Sequence, residues 1–300
     1  MVAVFPGVRL LPATASMLAA FFAFQSETCT ASTLRTYYYG IGAAHQDELL
    51  SFPALKECTE AYQTLQGIKR KRKDAVKRAH ALSVDDLVCV SAMVAHRKQS
   101  GELSARDIAN DQAVLAAMLL AFLGLFRKST VCGAQGLRRK DLEFVRKDGK
   151  VILWVTVTSS KTIQFGERCL RIPIPEMRGD LCAVSAVLEH MIAMPADGDA
   201  SVFLWTPPGG KPTPMSHASF VTRMRLLLDS AGLEPGKYTG HSLRRGGATL
   251  AFESGDGAAW DRRIMQHGDW SSDVVFQYHQ ISDETRLQLP SRMAAAMARP

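Results

Sequence analysis

No two of the six cysteines, Cys29, Cys58, Cys89, Cys132, Cys169 and Cys182, form a C-x-x-C pair, and no histidine cluster stands beside them. That scatter excludes zinc-site and disulfide-framework spacing, so the thiols read as reduced, as in an intracellular protein. No apolar run reaches the roughly 20 residues that a membrane-spanning helix needs. The nearest, Met17 to Phe24 after Arg9, has the look of a signal-peptide core. The favoured reading is a buried helix capped by Thr14 or Ser16, because nothing downstream looks secreted or disulfide-bonded. Internal repeats and low-complexity tracts are also missing, which leaves out solenoid and array architectures.

What is present is a globular composition with a basic excess. Hydrophobic residues make up 47% of the 300 residues and the net charge is +7. The length suits two domains, and the composition supports a packed core. A pI of about 9.2 favours a polyanionic partner, although the same sign suits a membrane surface, and composition does not choose between them.

Hydrophobic periodicity predicts helices throughout residues 1–66, with a turn at Ser51-Phe-Pro53. The densest charge run follows: Lys69, Arg70, Lys71, Arg72, Lys73, Lys77 and Arg78, opposed only by Asp74. Ser83 can then cap a helix whose first turn is acidic, and a domain boundary is expected near residue 80. Asn110 or Asp111 is expected to cap a deeply buried helix from Gln112 to Phe126. The period then changes. Asp141–Val145 and Val151–Thr158 read as strands joined by an Asp148-Gly149 hairpin turn, and Glu167–Ile174 as a third strand ended by Pro173 and Pro175. Helices are expected at about Asp180–Met194, Ser216–Ala231 stopped by Gly232, His241–Glu253, Asp261–Gln266, Ser271–Tyr278 and Arg292–Ala298.

Two segments carry chemistry. In Gly240-His-Ser-Leu-Arg-Arg-Gly-Gly-Ala-Thr249, His241 and Arg244 are three apart at a helix start, where partial positive charge suits a phosphate. Gly246 and Gly247 permit close packing one turn later. An ordinary capped helix with exposed basic residues would look the same. In Gln266-His-Gly-Asp-Trp-Ser-Ser-Asp-Val-Val-Phe-Gln-Tyr-His279, Trp270 and Tyr278 are about two helical turns apart, and Ser271 or Ser272 can cap the short helix between them. Aromatic core packing is the plain alternative.

Taken together, H-x-x-R, about thirty residues, then G-x-W-S-S-D and a tyrosine resemble the signature of the tyrosine recombinase (phage integrase) family. Leu123-Gly-Leu-Phe-Arg-Lys-Ser-Thr130 resembles its first-arginine motif at Arg127. Ser160-Lys-Thr162 resembles its β-hairpin lysine motif at Lys161, and Ala31-Ser-Thr-Leu-Arg-Thr-Tyr37 resembles its N-terminal core-binding domain. The wording is closest to the branch found in eukaryotic mobile elements.

The resemblance implies a mainly α fold with a small antiparallel β-sheet (α+β). It implies a two-domain, C-shaped DNA clamp: residues 1–80 the helical core-binding domain with a basic linker at 68–80, and residues 81–300 the catalytic domain. Attack on a phosphodiester builds charge on the non-bridging oxygens, which Arg127 and Arg244 would hold with bidentate forks. Tyr278 would be the nucleophile, His241 the acid/base, Lys161 the proton donor to the leaving 5′-oxygen, and Trp270 a support for the phosphate. Bond energy stays in a 3′-phosphotyrosine, so no cofactor and no metal is implied. Double-stranded DNA is the implied partner, its backbone met by Lys69, Arg70, Lys71, Arg72, Lys73, Lys77 and Arg78. A solvated helix face and a nuclear localisation patch are coexisting readings of that run, and Arg138, Arg139 and Lys140 form a smaller version of it. The family also implies a homotetramer on two DNA sites, joined through the helix after Pro290. The location would be intracellular: nuclear in a eukaryote, the nucleoid in a bacterium or phage host.

Some positions depart from the pattern. Trp270 stands where histidine is common, and His267 competes for that place. His279 has no assigned role, and Asp141 is the candidate for the family's carboxylate near the first arginine. Tyr37, Tyr38 and Tyr39 read as packing or DNA-facing, and Tyr238, before the His241 motif, as structural. Two further readings stay open within the family scaffold, an inactive DNA-binding protein and a topoisomerase-like relaxing enzyme. A third, from the Met17–Phe24 stretch, is a secreted or membrane-associated protein.

Overall fold

Thr14 begins the first helix by accepting a hydrogen bond from the Met17 amide (3.2 Å), which satisfies one of the donors a helix start leaves free. In this computed structural model, residues 10–73, 79–160, 163, 168–255, 257–279, 287, 290, 291 and 293 are described. Lys77, Arg78 and Lys161 lie outside them, as does the expected last helix apart from Met293.

The chain divides into two compact units, Met1–Arg78 and Ala79–Pro300. The first holds α1 (Ala15–Gln25), α2 (Ala31–Asp47) and α3 (Thr59–Arg72). Their core is Leu18, Phe22, Leu34, Tyr38, Ala61 and Leu65, so the Met17–Phe24 stretch is core-forming helix. His45 is fully buried between two backbone groups: Nε2 accepts from the Ala13 amide (2.9 Å), and Nδ1 therefore carries the proton shared with the Ile41 carbonyl (2.8 Å). Tyr38 packs inside, while Tyr37 and Tyr39 are exposed. No helix among the described residues is long and apolar enough to cross a membrane.

The second unit opens with α4 (Val84–Gln99). Ser83 and Asp86 form the reciprocal capping box that the sequence offers. The next helix, α5 (Ala105–Leu123), begins earlier than expected, because Ser104 and not Asn110 or Asp111 is its cap. Asn110 and Asp111 sit inside the helix with tertiary partners. Asn110 exchanges hydrogen bonds with the Thr206 backbone (2.9 and 2.8 Å), and Asp111 pairs with Arg97 (3.1 Å). From Ala113 to Phe122 every residue of α5 is buried, and α4, α7 (Ala183–Ala193), α8 (His217–Ser230) and α9 (Gly240–Glu253) pack around it.

After α6 (Lys128–Val131) and a 3₁₀ turn at Arg139–Asp141 come β1 (Leu142–Lys147), β2 (Lys150–Val157) and β3 (Leu170–Pro175), an antiparallel sheet in that order. Asp148 and Gly149 both take positive φ (52° and 76°), as a tight two-residue hairpin requires. Pro173 does not end β3. It lies within the strand opposite Trp154, which the edge position of β3 tolerates. The 206–214 loop is pinned by a short pair, β4 (Leu204–Trp205) with β5 (Thr213–Pro214). Then α10 (Ala258–His267) leads to a 3₁₀ helix at Asp273–Gln277, where an α-helix was expected. Ser272 holds its N-cap position, but no side-chain cap bond forms.

Candidate active site

The site grows from the way α9 meets the ends of α5 and α10. A Cβ on Gly246 would lie 1.8 Å from the Leu82 carbonyl oxygen, and one on Gly247 would lie 2.1 Å from that of Phe122. Only glycine permits this approach, and it sinks the buried face of α9 into the unit. Arg244, on that face, is 2% exposed. Its guanidinium donates to the Leu125 carbonyl and, at 2.6 Å, to the Gly268 carbonyl. One arginine thereby ties the turn after α5 to the turn after α10.

Both turns are strained where they meet it. Leu125 and Asp269 have φ of 51° and 56°, a region few non-glycine residues adopt. Such outliers persist only where the surroundings over-determine them, and they cluster at functional sites. Two residues beyond Leu125 stands Arg127, half-buried at the N-cap position of α6. Arg127 and Arg244 line one narrow pocket together with Thr130, Ser160, His267 and Asp269. The pocket has room for about one ordered water.

Electrostatics agree with this proximity. The Arg244 pKa is pushed down to about 10, first by burial and then by the like charge of Arg127. The nearby Tyr278 phenol and the Asp269 carboxylate act in the opposite direction.

The aromatic pair closes one side. Trp270 lays its ring over the Arg244 guanidinium, Cζ to centroid 3.8 Å, and meets Tyr278 edge-on at 5.3 Å. Gly268 makes room, since a Cβ there would strike the indole at 1.8 Å. Tyr278 is half-buried at the end of the 3₁₀ helix, its ring centroid 5.6 Å from Arg244 Cζ, and its carbonyl accepts from the Thr249 hydroxyl of α9 (3.3 Å).

Of the residues singled out in sequence, the structure thus brings Arg127, Arg244, Trp270 and Tyr278 together. His241 lies on the first turn of α9, exposed, and is not among the residues lining the pocket. His267 does line it. Its Nε2 lies 2.9 Å from the Leu123 carbonyl, an acceptor only, so Nε2 carries the proton. Lys161 falls outside the described residues, although its neighbour Ser160 lines the pocket.

Asp141 does not join the arginines. It caps the 3₁₀ turn at Arg138 (2.8 Å) and faces a separate cleft with Arg138, Lys140 and Ser159. Arg139, grouped in sequence with the surface basic residues, is buried and donates to the carbonyls of Met191, Met194 and Ala196. Tyr238 is buried, its hydroxyl bonded to Asp86 (3.2 Å) and its pKa raised to about 12, chiefly by burial. His279 stacks on Phe252 at 4.8 Å. Lys69, Arg70, Lys71, Arg72 and Lys73 are exposed on and just after the last turn of α3, where they also answer the helix dipole. Sequence reasoning missed Asp269. The only signal for it was a charged residue between the glycine and tryptophan of G-x-W. No group of three or more metal-ligating side chains occurs among the described residues.

No family model and no curated protein sequence matches the chain. Solved structures do. One is the XerH site-specific recombinase bound to its difH substrate in a pre-cleavage complex, at 16% identity over 92% of this chain and 70% of that one (TM-score 0.53). A post-cleavage complex of the same recombinase on palindromic difH aligns over 94% and 72% at 16% identity (TM-score 0.56). The integrase of transposon Tn1549, in complex with transposon right-end DNA, aligns over 96% and 87% at 13% identity (TM-score 0.56). Such identities speak for architecture alone, and this chain shares the fold of these recombinase and integrase structures over nearly its whole length.

Proposed function

We propose that this chain cleaves and rejoins DNA strands through a covalent bond to Tyr278. The observation that carries the reading is the convergence of Arg127 and Arg244 on one pocket, with the Tyr278 ring centroid 5.6 Å from the Arg244 guanidinium. Two guanidinium groups at a single small site match the charge that builds on the non-bridging oxygens of an attacked phosphodiester. Arg244 has five N–H donors and gives one hydrogen bond to each of two backbone carbonyls, so donors remain for a phosphate. Trp270 excludes water from one face of that guanidinium and keeps Tyr278 beside it.

In the reaction, the Tyr278 oxygen forms a bond to phosphorus as the bond to the 5′-oxygen breaks. The phenol proton leaves to a base and a proton reaches the freed 5′-hydroxyl, giving a 3′-phosphotyrosine. Attack of a 5′-hydroxyl on that linkage reverses the step and joins strands. His241 is the proposed acid/base, and His267, inside the pocket, competes with Trp270 for the place where histidine is common. Lys161 is the proposed donor to the leaving oxygen on sequence grounds alone.

Further parts of the reading rest on the family. Residues 1–80 bind DNA as a core-binding domain, and the basic run from Lys69 to Arg78 follows the backbone. The residues after Pro290 join neighbours into a tetramer on two DNA sites inside the cell. That the similar XerH and Tn1549 structures are complexes with their DNA supports DNA as the partner.

The test is a duplex nicked so that the fragment released on cleavage diffuses away, which traps any covalent complex. Wild-type protein should yield an adduct that maps by peptide sequencing to Tyr278, and Tyr278→Phe should yield none while still binding DNA. Absence of an adduct across a panel of duplexes, or attachment at another residue, refutes strand cleavage by Tyr278.

A further inference from the structure

A second cleft adjoins the two-arginine pocket, and the two share Thr130 and Val157 in their walls. It is much the roomier, about 400 Å³, and the exposed cations Arg138 and Lys140 line it. One wall is the turn at residues 133–136, which is firmly built. Gly133 takes a φ of 95°, its amide donates to the Met215 carbonyl (2.9 Å), and a Cβ there would lie 2.3 Å from His217 Nε2. The Gly136 amide closes the turn on the Gly133 carbonyl (3.0 Å), and the Leu137 amide donates to the Thr130 carbonyl (2.8 Å). Between these bonds, the Ala134 and Gln135 amides find no acceptor among the described residues. Successive free amides in a turn of this kind form a concavity suited to anions. The Asp141 carboxylate on the same cleft has Oδ2 engaged by the Arg138 amide (2.8 Å). Asp199 pairs with both cations, Lys140 at 2.6 Å and Arg138 at 3.9 Å, but pairs this exposed are weak and exchange readily.

We infer that this cleft is a second phosphate subsite, taking the backbone phosphate one nucleoside along the strand from the phosphate held by Arg127 and Arg244. The inference rests on the reading of the two-arginine pocket as a phosphate site. Arg138 and Lys140 supply the charge, and the 133–136 turn supplies backbone donors. The wall shared at Thr130 and Val157 makes the two cavities one continuous surface, so a strand leaving the first meets the second without a detour. Bulk attraction alone lets a polyanion slide, whereas phosphate contacts at fixed points set its register. Gripped at two successive phosphates, the strand is held with one chosen phosphodiester before Tyr278.

Two small probes on the full chain test this: thymidine 5′-monophosphate, and thymidine 3′,5′-bisphosphate, whose two phosphates stand one nucleoside apart. Affinity is read from the ligand-dependent rise in unfolding temperature at constant ionic strength. Wild-type protein should bind the bisphosphate about tenfold more tightly than the monophosphate. Arg138 and Lys140 are both exposed, so Arg138→Gln/Lys140→Gln should fold, and its preference for the bisphosphate should drop to about twofold or less. Removing the same charge elsewhere in the unit, by Lys211→Gln/Lys237→Gln at two exposed lysines, should leave the wild-type preference in place. A preference that both double variants lose equally is bulk attraction and overturns the subsite. So does a preference that survives Arg138→Gln/Lys140→Gln, or a wild-type protein that binds the bisphosphate no more tightly than the monophosphate. Arg127→Gln separates the two levels. If it leaves monophosphate affinity unmoved, the two-arginine pocket is not a phosphate site, and the pairing of the two subsites falls with it. If it weakens monophosphate binding by about tenfold while the preference ignores Arg138 and Lys140, that pocket stands and the cleft alone is removed.

Discussion

Replacing Arg244 with lysine keeps the charge and removes the fork, and it should cost both stability and rate. The guanidinium satisfies two carbonyls at once, those of Leu125 and Gly268, at a site 2% exposed. Hydrogen bonds from charged donors contribute about 1.5–3 kcal/mol each, and a single ammonium cannot span both acceptors. The stack on Trp270 at 3.8 Å is weakened as well. Against this, a buried lysine gives up its proton more readily than arginine, which relieves part of the cost that burial and Arg127 place on a charge here. The net expectation is a loss of about 2–4 kcal/mol, or a fall in unfolding temperature of roughly 10 °C for a unit of this size. Adduct formation on the nicked duplex should slow by about 100-fold or more.

Arg127→Lys provides the contrast. Arg127 is half-buried, and no side-chain hydrogen bond of it is seen among the described residues. Its replacement should slow adduct formation comparably while changing stability by no more than about 0.5 kcal/mol. Urea denaturation and single-turnover trapping, run side by side, decide the matter. If Arg244→Lys is as stable as wild type, or if Arg127→Lys is the more damaging to stability, Arg244 does not hold the two turns together and the account of the pocket fails.

Three further outcomes are expected. Gly247→Ala should be favoured by helix propensity by about 1 kcal/mol, yet its Cβ would lie 2.1 Å from the Phe122 carbonyl oxygen; a net loss of about 2 kcal/mol or more in thermal unfolding is expected, and a gain would refute the close approach of α9 to α5. His190 is buried against Phe203, and burial lowers its pKa from 6.5 to about 4. A depressed folded pKa gives stability that is complete above the unfolded value and is lost as pH falls through the folded one, so His190 should account for a loss of about 2 kcal/mol between pH 7 and pH 5. His190→Gln, which still offers an acceptor to the Leu204 amide, should flatten that slope in urea melts; an unchanged slope would exclude His190 as the source. Finally, exchanging the exposed Lys69 and Lys71 for glutamine should reduce the slope of log affinity for duplex DNA against log salt by up to about 2, and an unaltered slope would take both lysines off the backbone.

Where the chemistry that starts or stops an element is local, the sequence was legible. Ser83 with Asp86, Ser216, Gly232 and the Asp148-Gly149 hairpin all act through bonds to residues a few places away, and all are found where the pattern put them. Asn110 and Asp111 misled because they carry the same local chemistry as a helix cap. Their oxygens and amide are taken by Thr206 and Arg97, partners that only the folded chain supplies. Pro173 misled in a related way. Proline ends a strand only where its missing amide would be needed, and an edge strand spares it.

The pocket divides along the same line. The order of Arg127, Arg244, Trp270 and Tyr278 along the chain was enough to group them, but not to say how deep each would lie. Spacing of three puts His241 and Arg244 on one face of α9, yet one is exposed and the other is buried. The difference comes from Gly246 and Gly247, which let α9 descend until the carbonyls of Leu82 and Phe122 stop it. Residue 244 is next to that contact and goes under. Residue 241 is a turn further out, at the free start of the helix, and does not. The two glycines, read in sequence only as room for packing, therefore determine which arginine is the structural centre of the site.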